Sequence, residues 1–326
     1  MTPSVNLFGA ALRKALAHIE VGRDGTYARV VDVEIEEPDP RLMRGRLAAA
    51  IYDVLHAGRK HDPDLRLPRR IRDPKFEAEL SASFPYPLRA VPVRTAADAE
   101  DRDDPSRVLL ELDGIRVWAP ADRISEDSFC PGDVVTLRAS AVRPAVSPGF
   151  FLVQGGVPGH REPDLLRVYL HITDSAAGVR IWPLVLELLE ANQANYQAKI
   201  LSVPQLYPRR DALVVYLSAE SGRIAGLLAD AVSGRPGMGS RTSVFAERIA
   251  PGVAIAWEPR DPRPEVRGLS FGQHRSSAVA AALLGVARGK GELDELLAFE
   301  FRSAGIDPGN PARNRIGGTA GRIRPA

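Results

Sequence analysis

Lys199 sits in the run Tyr196, Gln197, Ala198, Lys199, Ile200, Leu201. An ammonium is costly in such a β-like, apolar stretch unless it reaches water, an anion or a reactive pocket. A desolvated lysine has a lowered pKa, which a lysine general base requires; an edge-strand lysine that discourages aggregation has the same local text. Only five of the 43 basic residues are lysines (Lys14, Lys60, Lys75, Lys199 and Lys290), and Lys199 alone falls in a core-like segment. Arginine carries the remaining positive charge, and its planar fork suits bidentate contact with phosphate oxygens. Arg209 and Arg210 precede a strand carrying Tyr216, and Arg241 and Arg248 flank a segment of small and apolar residues. Upstream, a strand over 166–173 points Val168, Leu170 and Ile172 one way and Arg167, Tyr169, His171 and Thr173 the other. That alternation predicts one face in the core and one, with His171, facing something polar. A further anion site is suggested by Ser270, Phe271, Gly272, Gln273, His274 and Arg275, where a glycine-containing turn enters a helix. Free N–H groups and the helix dipole attract phosphate there, and Arg275 reinforces them.

Other chemistries find little support. The single cysteine, Cys130, has no partner for an internal disulfide or a cysteine metal site and is expected as a buried structural thiol. His56 and His61, near Asp53 and Asp62, match no standard metal spacing and are expected in a solvated loop. No run of about eighteen apolar residues occurs, and Arg13 and Lys14 interrupt the amphipathic N-terminus, so neither a membrane span nor a signal peptide is expected and cytoplasmic residence is the default. The net charge of +2 calls for neither nucleic acid nor a membrane as partner.

The elements that must position these residues fall into four stretches. Residues 1–62 read as helical, with apolar residues at helical spacing over 5–19 and 41–57 and a possible extended piece over 27–36. From 63 to 92 the text is proline-rich and reads as irregular, and 98–104 is an acidic, solvated loop. Short β-like runs over 108–112, 114–119, 133–140 and 150–155 make 63–155 a small antiparallel sheet or half-barrel, and because this region lacks the catalytic residue types it is the candidate for holding a peptide, as an added strand. In 156–306 strands alternate with longer helices: a helix over 182–195 with Pro183 in its first turn, strands over 196–203 and 212–218, and a helix over 223–232. A glycine-rich loop over 234–240, a strand over 253–257 and helices over 273–288 and 292–303 complete the stretch. A basic tail, 307–326, is expected to be mobile. The fold class is therefore α+β, an α/β catalytic half behind a helical and β-rich front.

The order of strand histidine, lysine, arginine, strand tyrosine and an arginine pair resembles the phosphothreonine lyases delivered by type III secretion. Their histidine strand is matched by Leu170, His171, Ile172 and Thr173, their lysine by Lys199, and their tyrosine strand by Val215, Tyr216 and Leu217. Arg241 and Arg248 keep that family's separation of seven. The Lys199-to-Tyr216 spacing is shorter than in those lyases, so Arg209 and Arg210 both remain open as the first phosphate ligand. A closer resemblance covers nearly the whole chain: the Hop-A-type effector family, some members of which serve as lyases in class V lanthipeptide and thioamitide pathways. It rests on Ile51-Tyr52-Asp53 with Leu55-His56-Ala57-Gly58, on Gly149-Phe150-Phe151, on Ala250-Pro251-Gly252-Val253, and on 270–275; Asn310, Pro311 and Asn314 echo its C-terminal motif.

The resemblance implies a phosphothreonine-lyase-like fold and β-elimination of phosphate from phosphoserine or phosphothreonine. Lys199 would be the base, His171 the acid, and Tyr216 a residue orienting Lys199 or the substrate. Arg241, Arg248 and one of Arg209 or Arg210 would clamp phosphate. Neither metal nor organic cofactor is implied. The implied partners are a ribosomally made precursor peptide, a separate serine/threonine kinase that phosphorylates it, and a cyclase acting afterwards. A phosphopeptide-binding subunit without turnover, and an effector lyase acting on a phosphoprotein, are the competing expectations. A cyclase is disfavoured because no Cys/His cluster could activate a thiolate.

Overall fold

In the computed structural model, which describes residues 8–59, 71–84, 88–96, 104–112, 114–155 and 164–315, helix α1 (Ala10–Leu16) comes first. A three-stranded antiparallel sheet follows: β1 (Ile19–Val21), β2 (Tyr27–Val30) and β3 (Val33–Glu36). Asp39 caps α2 (Pro40–Ile51) by accepting from the amides of Arg41 and Leu42, with Pro40 in the first turn where its missing N–H costs nothing. Helix α2 then runs into a π-helical segment, Tyr52–Ala57, closed by Gly58 at φ 71°. Two regular elements, α3 (Pro74–Ala82) and β4 (Leu88–Thr95), occupy the stretch expected to be irregular. The reason is local: Asp73 accepts from the Lys75 and Phe76 amides and starts a helix that buries Phe76 and Leu80.

Strand β4 joins β5 (Arg107–Leu112), β6 (Ile115–Pro120) and β7 (Val134–Ser140) in an antiparallel sheet of order β6-β5-β4-β7, with Val93, Leu110, Ala119, Ile124 and Val135 as its own small core. Cys130, expected to be buried, is exposed in the turn leading into β7, where its amide donates to Asp133. The remaining elements are β8 (Val142–Ser147), β9 (Phe150–Gly155), β10 (Leu165–Ile172), α4 (Ser175–Ala191), β11 (Tyr196–Leu201), β12 (Arg209–Ser218), α5 (Arg223–Val232), β13 (Glu247–Ala250), β14 (Val253–Trp257), α6 (Phe271–Ala287) and α7 (Leu293–Ser303). Their seven strands form one antiparallel sheet of order β13-β14-β10-β12-β11-β9-β8, which crosses the division expected between residues 155 and 156. Helices and antiparallel sheets together make the class α+β.

Pro183 lies inside α4 rather than in its first turn, because Asp174 starts the helix earlier by accepting from the Ala177 amide. Helices α3, α4 and α5 cover the back of the central sheet, packing Leu80, Trp182, Leu186 and Leu228 against Val168, Leu170, Ile200 and Val215. The front, expected to face something polar, is instead covered over Tyr169, Val214 and Ala256 by Met43, Leu47, Phe271, Val279 and Phe301 of α2, α6 and α7. Both faces of β10 are therefore buried, Arg167 and Tyr169 included. The tail expected to be mobile from 307 onward is folded as far as 315: Ala312 is buried, and its carbonyl accepts from the Trp257 amide. His61, Asp62, most of the acidic run and residues 316–326 lie outside the described residues.

Candidate functional site

Lys199, Val214 and Tyr169 form one row across β11, β12 and β10, and Gln197, Tyr216 and Arg167 the next. Paired residues of a ladder share a face, so Lys199 and Tyr216 both stand on the front of the sheet. A cleft of about 630 Å³ opens there, and Tyr52, Phe150, Lys199, Tyr216, Asp261 and His274 are among the residues that line it, with Arg167 and Glu258. The Lys199 ammonium lies 4.4 Å from the Phe150 ring centre and 5.8 Å from that of Tyr216, and 3.5 Å from Ser147 Oγ. No carboxylate pairs with it among the described residues. Arg167, by contrast, is spent: both its Nε and Nη2 donate to Glu258, and its guanidinium stacks 4.9 Å from the Tyr216 ring centre. Tyr216 is thus in reach of two cations, one paired and one not.

Beneath the cleft is a buried polar network. Arg209 donates to both oxygens of Asp211 at 2.7 Å and to the Tyr52 hydroxyl at 2.9 Å, and that hydroxyl donates to Asp211 at 3.2 Å. The register of β10 against β12 breaks between Leu170 and Ile172, and the extra β12 residues at this bulge include Arg210 and Asp211. His56, expected in a solvated loop, is 2% exposed in the π-helix, with Nδ1 2.8 Å from Ser243 Oγ and Nε2 3.8 Å from Asp211. Burial alone would raise the Asp211 carboxyl, but the charge and hydrogen bonds of Arg209 hold it well below the usual carboxylate range. Burial pushes His56 down to about 4 despite the Asp211 carboxylate, and His274 down to about 4 with help from the Arg275 charge.

These two histidines set a pH dependence. The unfolded chain protonates them near their ordinary value of 6.5, whereas the folded chain does so only near 4. Between those limits the unfolded state binds more protons, so stability falls as pH falls. Equilibrium unfolding followed at pH 7 and pH 4.5 is expected to show a loss on the order of a few kcal/mol. A His56→Asn variant should flatten the profile; an unchanged slope in that variant would remove His56 from the account.

A second cluster lies further along β10. His171, two residues past Tyr169, has Nδ1 3.1 Å from the Arg241 carbonyl oxygen and 3.3 Å from its amide nitrogen, so it donates to the first when protonated and accepts from the second when not. Its amide donates to the Gly252 carbonyl and its own carbonyl accepts from the Gly239 amide, which pins the strand end between two glycine turns. Burial, and then the charges of Arg210 and Arg241 against the opposing Arg241 hydrogen bond, lower its pKa. Arg210 donates from Nη1 to the carbonyls of Val54 (3.3 Å) and Leu55 (2.9 Å) at the end of the π-helix and lies against Gly58. Among the described residues neither Arg210 nor Arg241 has a carboxylate partner.

The geometry thus divides the expected residues. Lys199 and Tyr216 share the cleft; His171, Arg210 and Arg241 form the neighbouring cationic cluster and do not line the cleft. Arg209 is not a free phosphate ligand, because Asp211 and Tyr52 occupy its fork, and Arg210 is the member of the pair left open. Arg248 is exposed on edge strand β13, with Nε turned to its own Ala250 carbonyl. Arg275 is fully buried over Phe271 and donates to the Pro311 carbonyl, His274 and Asn314, so it ties the C-terminal segment down rather than meeting an anion. Ser270 does cap α6, in a capping box with Gln273, so its turn is internally satisfied. Sequence reasoning gives Tyr52, Asp211, Glu258 and Asp261 no functional role, since each reaches the site by long-range folding; His274, expected at an anion-binding turn, lines the cleft instead as a partner of Asp261.

A sequence model of the HopA1 effector protein family matches residues 141–313, just over half of the chain. Two solved structures of Pseudomonas syringae effector proteins are similar. One, from pv. tomato strain DC3000, has 16% identity and a TM-score of 0.46 and covers 82% of this chain and 90% of its own. The other, from pv. syringae strain 61, has 18% identity and a TM-score of 0.46 and covers 83% and 91%. No curated protein matches the chain.

Proposed function

The chain belongs to the HopA1 effector protein family, and from that premise we propose that it removes phosphate from phosphoserine or phosphothreonine in a peptide by β-elimination, leaving dehydroalanine or dehydrobutyrine. One observation carries this reading. An ammonium with no acidic partner among the described residues is held over two aromatic rings in a cleft, on the same sheet as a histidine flanked by two arginines that also lack one. Elimination needs a base at the Cα proton, an acid at the leaving oxygen and cations that accept the developing charge.

In the proposed reaction Lys199, after its ammonium gives a proton to solvent, takes the Cα proton, the C–H electrons form the Cα=Cβ bond, the Cβ–O bond breaks, and phosphate leaves with a proton from His171. Water is neither consumed nor released. Strands about 4.8 Å apart with a rise of about 3.3 Å per residue put the Cα positions of Lys199 and His171 about 12 Å apart, a gap that two side chains on one face can close around a phosphorylated residue. Arg210 and Arg241 would hold the phosphate oxygens, with Arg248 able to join from the edge strand only by leaving its Ala250 contact. A phosphate dianion between the two arginines would offset their charges and raise the His171 pKa against the effect of burial, the direction an acid requires. With Nδ1–H donating to the Arg241 carbonyl, Nε2–H remains for the leaving oxygen. Tyr216 would orient Lys199.

The proposed substrate class is a ribosomally made precursor peptide of the lanthipeptide or thioamitide type, phosphorylated by a separate serine/threonine kinase and passed on to a cyclase. A second reading, phosphopeptide binding without turnover, is favoured by His171, Arg210 and Arg241 lying outside the lining of the Lys199 cleft. Incubation of phosphoserine and phosphothreonine peptides with a small thiol separates the two. The lyase gives a thiol adduct at the former phosphoresidue, a phosphatase gives unmodified serine or threonine, and a binder returns the phosphopeptide unchanged.

Gly239 supplies a further check, because a Cβ there would stand 2.2 Å from His171 Nδ1. Gly239→Ala is expected to displace the imidazole and lower turnover by about 10²-fold, with thermal stability little changed. Unaltered turnover, measured beside unaltered melting, would remove His171 from the mechanism.

A further inference from the structure

We propose that Arg143 and Arg89 form a second anion site beside the cleft, which takes a carboxylate side chain of the bound peptide; this rests on the reading that a phosphopeptide lies over Lys199. The register places Arg143 first. Arg143 of β8 pairs with Leu152 of β9, and Leu152 pairs with Lys199 of β11. Paired residues share a face, so Arg143 stands on the front of the sheet, two strands beyond Lys199 on the side away from β10 and His171. Helices α2, α6 and α7 cover that front over Tyr169, Val214 and Ala256, but Leu152 is only half-buried and Arg143 is exposed. Ser147, which lines the cleft, lies on β8 as well, so one strand carries both the cleft wall and Arg143. Two strand spacings of about 4.8 Å separate Arg143 from Lys199, and an extended chain rises about 3.3 Å per residue, so an acid about three residues from the phosphorylated one reaches Arg143.

Arg89 gives the second and independent observation. Its Nε and Nη1 are out of water and, among the described residues, have no hydrogen-bond partner, which is costly for a guanidinium whose N–H groups are all donors. Arg167, Arg209 and Arg275, which are buried more deeply, each have acceptors in Glu258, Asp211 and the Pro311 carbonyl. Arg89 pairs with Ala139 of β7, and β7 runs into β8 with only Ala141 between them. Burial and then the Arg143 charge lower the Arg89 pKa, so the two cations act on each other, and no carboxylate among the described residues offsets them. An anion between them relieves the repulsion and supplies the missing acceptors. Desolvation cost grows as the square of an ion's charge while attraction grows only in proportion to it, so this half-buried site favours a carboxylate over a second phosphate dianion.

The test uses the full-length protein and fluorescein-labelled phosphothreonine peptides with glutamate or glutamine placed about three residues before or after the phosphothreonine. Anisotropy reads binding and phosphate release reads turnover. In one of the two placements the glutamate peptide is expected to bind about tenfold more tightly than its glutamine twin, with kcat nearly equal. Arg143→Gln, a change at an exposed position, should remove that preference and leave affinity for the glutamine peptide as it was, and Arg143→Glu should turn the preference toward a lysine peptide. Arg89→Gln should act as Arg143→Gln does, and Lys199→Ala should keep the preference while losing turnover. Equal affinity for the twins in both placements, a preference that survives Arg143→Gln, or tighter binding of phosphoserine than of glutamate at that position would overturn the proposal. Elimination without the preference would remove this site and leave the lyase standing; the preference without elimination would do the reverse.

Discussion

Replacing Lys199 with alanine is expected to lower elimination from a phosphothreonine peptide by about 10²- to 10⁴-fold while peptide affinity stays within a few-fold. The basis is that its ammonium is in ion-pair contact with no carboxylate among the described residues, although its charge reaches the buried Asp211. Arg167 and Arg209 are neutralised by Glu258 and Asp211, so neither can take over as a base or as a mobile charge in the cleft. Lys199 is held by ring faces and a weak contact to Ser147, with no ion pair to break before its nitrogen, once deprotonated, meets a Cα proton. Removal costs no buried ion pair, so folding should survive. Single-turnover phosphate release beside anisotropy of the same labelled peptide tests both halves. Loss of affinity in step with rate would make Lys199 a phosphate ligand rather than the base, and an unchanged rate would remove it from the chemistry.

Asp211→Ala is expected to destabilise the fold by about 3–5 kcal/mol, because it leaves the Arg209 guanidinium buried and uncompensated. The Tyr52 hydroxyl and His56 would lose the same partner. Denaturant unfolding measures this directly, and a second variant guards the interpretation. Replacing Arg209 and Asp211 together by apolar residues of similar volume should restore most of the stability, since the pair is a compensated burial and not a net source of stability. A double variant as unstable as the single one would assign the loss to packing instead. The cleft wall formed by Tyr52 should loosen in the single variant, which then shows reduced turnover well below its melting temperature.

Much of the scaffold was legible from periodicity. Helix α5 matches its expected range, strand β14 likewise, and Ser270 capped α6 where the turn chemistry placed it. Errors arose where distant parts of the chain decide the environment. The alternation in β10 is visible in the sequence, but not that α2, α6 and α7 cover its second face, so Arg167 and Tyr169 read as facing something polar when they are buried beneath those helices. His56 read as a loop residue because its partners, Ser243 and Asp211, lie far along the chain. Arg275 carried a usable signal: it falls four residues from both Phe271 and Val279, on a stripe that the structure buries. The choice between Arg209 and Arg210 stayed open because a β-bulge, which spacing does not reveal, gives Arg209 to Asp211 and leaves Arg210 beside Arg241.

The central claim is that the Cα–H and Cβ–O bonds break in one elimination, and a phosphothreonine peptide deuterated at Cα tests it most directly. Mass spectrometry of the product is predicted to show phosphoric acid and the α-deuterium lost together with the parent protein and neither lost with Lys199→Ala. Phosphate lost with the deuterium retained would mean hydrolysis, and a peptide returned intact would leave a binding protein; either result contradicts the lyase account.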